Sequence, residues 1–264
     1  MKIATWNINS IRIRETPVAQ FVAAHQPDIL CLQETKVEDA HFPHDLVARL
    51  GYKHVIFAGQ KSYNGVAILS KLPLKTYATF DILGNESKRH IAAELPDGTI
   101  VHNFYVPAGG DIPDPELNDK FEEKLRFVDA MRDWSKQEIK KSHRVVAVGD
   151  FNIAPREHDV WSHKQLLKIV SHTPIEVDKL NTFQRESGGW VDAMREFVPD
   201  DQKLYSWWSY RNRDWAASDR GRRLDHIWLT PALKSSLKSG LIFRDARGFE
   251  STSDHVPVMV ELAD

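Results

Sequence analysis

The 264 residues are 42% hydrophobic and 27% charged, with a formal net charge of −2 at pH 7. These proportions exclude a disordered, collagen-like or fibrous chain, and the near-neutral charge argues against a protein that coats nucleic acid through many phosphate contacts. The length permits a sizeable core, and large α/β folds of this size often form one unit, so a single domain over residues 1–264 is expected.

In chain order, Met1 to Trp6 lacks the long apolar segment of a signal peptide, and Ile3 to Trp6 reads as a first strand. Thr16-Pro17 supplies an N-cap and first-turn proline for a helix through Phe21 and Ala24, stopped before Pro27. Ile29 to Leu32 is the next strand. It holds Cys31, the only cysteine, which reads as a packed core thiol in a reducing cytoplasm. Val66 to Leu69 follows the turn signal Tyr63-Asn64-Gly65, and Pro96-Asp97-Gly98-Thr99 precedes the strand Ile100 to Val106, so hairpins and antiparallel pairing are expected. The three- and four-residue spacing of Leu117, Phe121, Leu125, Val128 and Met131 predicts a longer amphipathic helix. Val145 to Val148, Leu224 to Leu229 and Val256 to Leu262 complete the strands. No apolar run is long enough to span a bilayer. Strands outnumber helices and do not alternate with them, which predicts an α/β fold of two sheets packed face to face with helices outside.

The chemistry lies where polar groups end the apolar runs: Asn7 after the first strand, Gln33-Glu34 after the second, and Asp150 with Asn152 after Val145 to Val148. If these strands share a sheet, their ends converge at one rim, where loops add Asp254 and His255. Oxygen donors without cysteine favour a hard cation such as Mg²⁺, which keeps open positions for water and phosphate and so suits phosphodiester hydrolysis. Taken singly, each residue has an ordinary structural alternative as a helix cap, turn acceptor or packing group. Between Lys203 and Arg223 the chain carries Lys203, Arg211, Arg213, Arg220, Arg222 and Arg223, interleaved with Trp207, Trp208, Tyr210 and Trp215. That stretch has the character of a nucleic-acid surface.

The contexts of these residues match a known pattern. Pro27 to Lys36, containing Gln33-Glu34-Thr35-Lys36, and Gly149-Asp150-Phe151-Asn152 are the most specific pieces. Trp6-Asn7-Ile8-Asn9, Asn103 to Pro107, Arg220 to Asp225 and Ser253-Asp254-His255 follow in order. Along nearly its whole length the chain resembles the exonuclease III family of AP endonucleases, within the endonuclease/exonuclease/phosphatase superfamily. The resemblance implies a four-layer, deoxyribonuclease I-like sandwich of two mixed sheets flanked by helices. It implies action on duplex DNA at abasic sites or 3′ ends, using Mg²⁺ with Mn²⁺ as a substitute, and a monomer is the default expectation. Glu34 would be the main metal ligand, with Asn7 and Asp254 near the ion and Asp150 and Asn152 at a second position. Asp150 would position the attacking water, and Asn152, Tyr105 and His255 would bind the scissile phosphate with Asp225 orienting His255. The competing assignment makes His255 the base. Trp207 and Leu224 would border a sugar pocket, with Arg89 and Arg222 contacting DNA. Ala108, Pro155, His158 and Arg222 depart from common family patterns. A phosphoinositide or sphingolipid phosphoesterase of the same superfamily, and a noncatalytic DNA-binding module, are the alternatives.

Overall fold

The computed structural model describes residues 1–79, 82–83 and 87–263. Its strands, in chain order, are β1 (Lys2–Asn7), β2 (Ile29–Gln33), β3 (His54–Ala58), β4 (Val66–Ser70), β5 (Lys75–Thr76), β6 (His90–Glu94), β7 (Ile100–Tyr105), β8 (Val145–Asp150), β9 (Val191–Asp192), β10 (Trp207–Trp208), β11 (Gly221–Arg222), β12 (Asp225–Leu229), β13 (Leu237–Ile242) and β14 (Val258–Leu262). One six-stranded sheet has the order β13-β14-β1-β2-β4-β3 and the other β5-β6-β7-β8-β12-β9, with β10 and β11 forming a small ribbon. Pairing is antiparallel except at β1–β2 and β7–β8, so both large sheets are mixed.

The continuous apolar runs follow from burial on both faces of each sheet. Alternate residues Ile3, Ile29, Cys31, Val66 and Ile68 of the first sheet meet Val101, Val146, Val148, Ile227 and Leu229 of the second in one central core. The other face of the first sheet, with Ala4, Trp6, Leu30 and Leu32, packs under Val18, Phe21 and Val22 of the helix Glu15–His25. The outer face of the second, with Phe104, Ala147 and Trp228, packs under Phe127, Val128 and Met131 of the helix Asp119–Glu138 and Leu180 and Phe183 of the helix Pro174–Glu186. The result is the expected four-layer sandwich.

Two helix starts differ from the sequence reading. The first helix begins at Glu15 with Arg14 in the cap position and no side-chain cap, so Thr16 lies inside it. Pro17 then falls at the third helical residue, where its missing N–H costs nothing because that turn has no intrahelical acceptor. Leu117 is 73% exposed and precedes the long helix, because Asn118 caps it by accepting from the Lys120 amide and donates to the carbonyls of Gly109 and Ile112.

Both turn signals lie between antiparallel strands. Gly98 (φ +79°) closes the β6–β7 hairpin, with the Asp97 carboxylate accepting from the Thr99 amide. The other, between β3 and β4, is a longer loop in which the carbonyls of Asn64 and Gly65 accept from the Lys36 and Thr35 amides. That loop therefore braces the segment just after Glu34.

Candidate active site

Strand register assembles the site. Asn7 pairs with Gln33 at the ends of β1 and β2, while Tyr105 and Asp225 both pair with Asp150 in the second sheet. Glu34 and Asn152 then leave their strands in the left-handed region, each at φ +52°. Such a conformation is uncommon for non-glycine residues and is concentrated at functional sites.

The side chains form one connected network. Asn7 Nδ2 donates to Glu34 Oε1 at 2.8 Å and to Asp150 Oδ2 at 2.9 Å, tying the two sheets' acids together. Asn152 holds Asp150 twice more, from its amide to Oδ1 at 2.9 Å and from Nδ2 to Oδ2 at 3.1 Å. His255 Nδ1 lies 2.9 Å from Asp225 Oδ2, and its Nε2 lies 3.7 Å from Asp150 Oδ2. Ser206 Oγ donates to the same Asp225 oxygen at 2.6 Å.

Burial sets the charge states. It drives the Asp150 carboxyl up, and although His255 and Asn7 oppose it, the neighbouring Asp225 and Glu34 charges leave it at about 7. Burial alone would lower His255, but Asp225 and Asp150 outweigh it and hold the imidazole well above its usual range, so it is protonated at neutral pH. Burial likewise opposes ionisation of Glu34, yet Lys36, Asn7 and His255 keep its carboxyl below the usual value. The Tyr105 phenol is pushed up by burial and by Glu34 and Asp150, and stays a donor.

Of these groups, Glu34, Tyr105, Asp150, Asn152 and His255 line a cavity of about 930 Å³. The lining also carries Trp161, Trp207, Tyr210, Arg211, Arg220, Arg222 and Leu224. Arg220 lies over the Trp161 ring at 4.7 Å and Arg222 over the Trp207 ring at 5.2 Å.

The model of the endonuclease/exonuclease/phosphatase family matches residues 4–255. The chain belongs to that family. It is 31% identical to the exodeoxyribonuclease III of Haemophilus influenzae, over 99% of both chains. Among solved structures, an AP endonuclease from Archaeoglobus fulgidus superposes with a TM-score of 0.92 at 32% identity, over 99% of both chains. A 3′ phosphatase from Neisseria, bound to a product DNA hairpin, superposes at 0.90 with 31% identity over both full chains.

The site of this family member suits a cation. Asp150, Asp225 and His255 bring candidate ligand atoms within 4.8 Å of one another, and the Asp150 carboxyl is raised first by burial and then by the neighbouring Asp225 and Glu34 charges, an environment that a bound cation would offset. Glu34, Asp150 and Asp254 all line the cavity and offer carboxylate oxygens to an ion there, whereas Asp225 is not part of the lining and its Oδ2 is held by Ser206 and His255. Asn7 presents its Nδ2 to the acids while its Oδ1 accepts from the Asn9 amide at 3.1 Å. Asn7 thus bridges Glu34 and Asp150.

Trp207 Nε1 donates to Asp254 Oδ2 at 2.9 Å, which places the aromatic wall directly against the acid cluster. Arg89 is not among the cavity residues; its guanidinium lies 4.6 Å from the centre of the Tyr105 ring, over its face. Ala108 lines the cavity, while Pro155 is buried and His158 half-buried away from it. Sequence reasoning missed Ser206, Lys36 and Trp161. Lys36 Nζ pairs with Glu34 Oε2 at 2.8 Å and with Asn9 Oδ1 at 2.5 Å, and only its place directly after Glu34-Thr35 signalled it.

Proposed function

We propose that this chain is a Mg²⁺-dependent DNA phosphodiesterase of base excision repair, cutting on the 5′ side of abasic sites and removing nucleotides and blocking groups from 3′ ends. It would act as a single-domain monomer over residues 1–264, in the cytoplasm, where the lone buried thiol of Cys31 stays reduced. The observation that carries the reading is the position of Asp150: a buried carboxyl fixed by Asn7 and Asn152, facing a protonated His255, in a cavity that arginines and aromatic residues also line. The names of the relatives, which are an exodeoxyribonuclease, an AP endonuclease and a 3′ phosphatase, support DNA over a lipid or inositol phosphate.

In this mechanism Asp150 orients the attacking water and accepts its proton, and its three hydrogen bonds from Asn7 and Asn152 keep the carboxylate from rotating. His255 donates from Nε2 to a nonbridging phosphate oxygen as charge develops, while Asp225 keeps the imidazole protonated and oriented through Nδ1. A protonated imidazole supports the role of charge stabiliser over that of base. The Tyr105 phenol is a second donor to the phosphate. Glu34 would hold Mg²⁺ together with Asp150 or Asp254, and the bound ion supplies Lewis-acid charge at the phosphoryl and leaving oxygens.

The test is cleavage of an end-labelled duplex carrying one abasic analogue, beside an undamaged duplex, in Mg²⁺ and in EDTA. Incision at the lesion or stepwise loss from 3′ ends in Mg²⁺, with neither in EDTA, is expected. An inert DNA panel with turnover of inositol phosphates would overturn the reading.

A further inference from the structure

The core-facing stripe of the helix Asp119–Glu138 contains an anomaly. Phe121, Leu125, Val128 and Met131 are buried as their spacing requires, but Lys124 lies on the same stripe and is fully buried too. An ammonium in such a place must be paired and hydrogen-bonded or it would lose its proton. Lys124 forms an ion pair with Glu176 Oε1 at 2.5 Å, and Glu176 is equally buried. It also donates to the carbonyl of Asn152 at 2.8 Å and to that of Ala108 at 3.2 Å. An ammonium has three N–H donors, and these partners use all of them.

Asn152 and Ala108 line the cavity, and Glu176 is hydrogen-bonded to a third lining segment at Ser171. Asn152 is the left-handed residue whose amide and side chain hold Asp150, so a fixed carbonyl there fixes the grip on the carboxylate. Ala108 precedes Gly109, which has φ +89° and lies so close that a Cβ there would be 2.8 Å from Lys124 Cδ. Glu176 reaches the third segment. Both its oxygens accept from the Ser171 amide at 2.9 Å, and Ser171 Oγ with the Val170 carbonyl receives Arg222 Nη1 at 2.8 and 3.1 Å. A single buried pair therefore connects the residues around Asp150 to the guanidinium that lies on Trp207.

We propose that Lys124, with Glu176, is a positioning residue for phosphodiester cleavage: through the Asn152 carbonyl it sets the orientation of Asp150, and through Ser171 it sets the facing wall of the cavity. This rests on the reading of Asp150 and Asn152 as reacting-site residues. Lys124 touches no substrate, and its effect is on turnover rather than on capture of DNA.

The experiment compares the full chain with K124M/E176Q, which removes both charges together and leaves neither stranded, and with D150N. K179M, which removes a half-exposed Lys179–Asp129 pair elsewhere on the same helices, is the control. On an abasic duplex in Mg²⁺, K124M/E176Q should lose at least tenfold in kcat with KM changed less than threefold, while K179M stays at the full chain's kcat. A folded K124M/E176Q with unchanged kcat overturns the proposal, as does a loss confined to thermal stability. If that variant does not fold, E176D keeps both charges and shortens the link by one methylene. A several-fold loss of kcat in E176D supports the proposal, and an unchanged kcat overturns it. D150N separates the two readings: full turnover by D150N removes the underlying assignment, whereas an inactive D150N beside a fully active K124M/E176Q removes only the role of Lys124.

Discussion

Asp225 makes no contact with the cavity, yet it decides the state of the residue that does. Its Oδ2 takes both Ser206 Oγ and His255 Nδ1, and its charge is the largest influence opposing the burial that would deprotonate the imidazole. In D225N that opposition is lost, so the His255 pKa falls and the protonated form disappears at a lower pH. The alkaline limb of the kcat/KM profile should move to lower pH, with the acid limb less affected; an alkaline limb that stays in place would remove His255 as the titrating donor. Asn7, Glu34, Asp150 and Asn152 were legible because each ends an apolar run, and strand ends share a rim. Ser206 was not, since it lies between short irregular segments and acts through a partner far away in sequence.

Gly149 carries the same reasoning to the scale of an element. It pairs with Phe104 across the parallel β7–β8 contact, has φ +140°, and a Cβ there would be 1.9 Å from the Phe104 carbonyl oxygen. No side chain fits without separating the two strands that present Tyr105 and Asp150. G149A should destabilise the fold by about 2 kcal/mol or more, read as a lower urea midpoint, and should lower turnover with it. A midpoint equal to that of the unsubstituted chain would mean that the strands part freely at this point. The strands with continuous apolar runs were readable because both faces are buried. β3 was not, because it is an edge strand whose five residues are all half-buried and show no alternation. The helix Pro174–Glu186 had a usable signal that went unread: Thr173 and Glu176 form a reciprocal capping box, a spacing visible in the sequence. Glu176 has a second task in gripping Ser171, so the cap and the cavity wall share one carboxylate.

Across the whole molecule, a net charge of −2 conceals a cavity whose lining combines an acid cluster with arginines. The sequence showed the basic stretch between Lys203 and Arg223, but not that Arg223 is fully buried. It pairs with Asp159 and Asp192, so its charge is spent inside the fold. Arg211, Arg220 and Arg222 line the cavity, and while Arg222 is held by Ser171 and the Val170 carbonyl, Arg211 and Arg220, the latter stacked on Trp161, are proposed to meet phosphate. Each phosphate neutralised by such a group releases condensed counterions, and the logarithm of the binding constant falls by about 0.9 per contact for each tenfold rise in salt. Raising salt should therefore weaken DNA capture while leaving the buried acid cluster, which makes the chemistry, at its rate. In R211A/R220A the dependence of log KM on log salt should flatten by roughly 1.8, the value for two lost contacts, with kcat at saturating DNA within about twofold of the unsubstituted chain. Initial rates on an abasic duplex at fixed Mg²⁺ between low and moderate salt measure both quantities. An unchanged slope would move the DNA backbone off this wall, whereas a fall in kcat with the slope intact would make these arginines part of the reacting site.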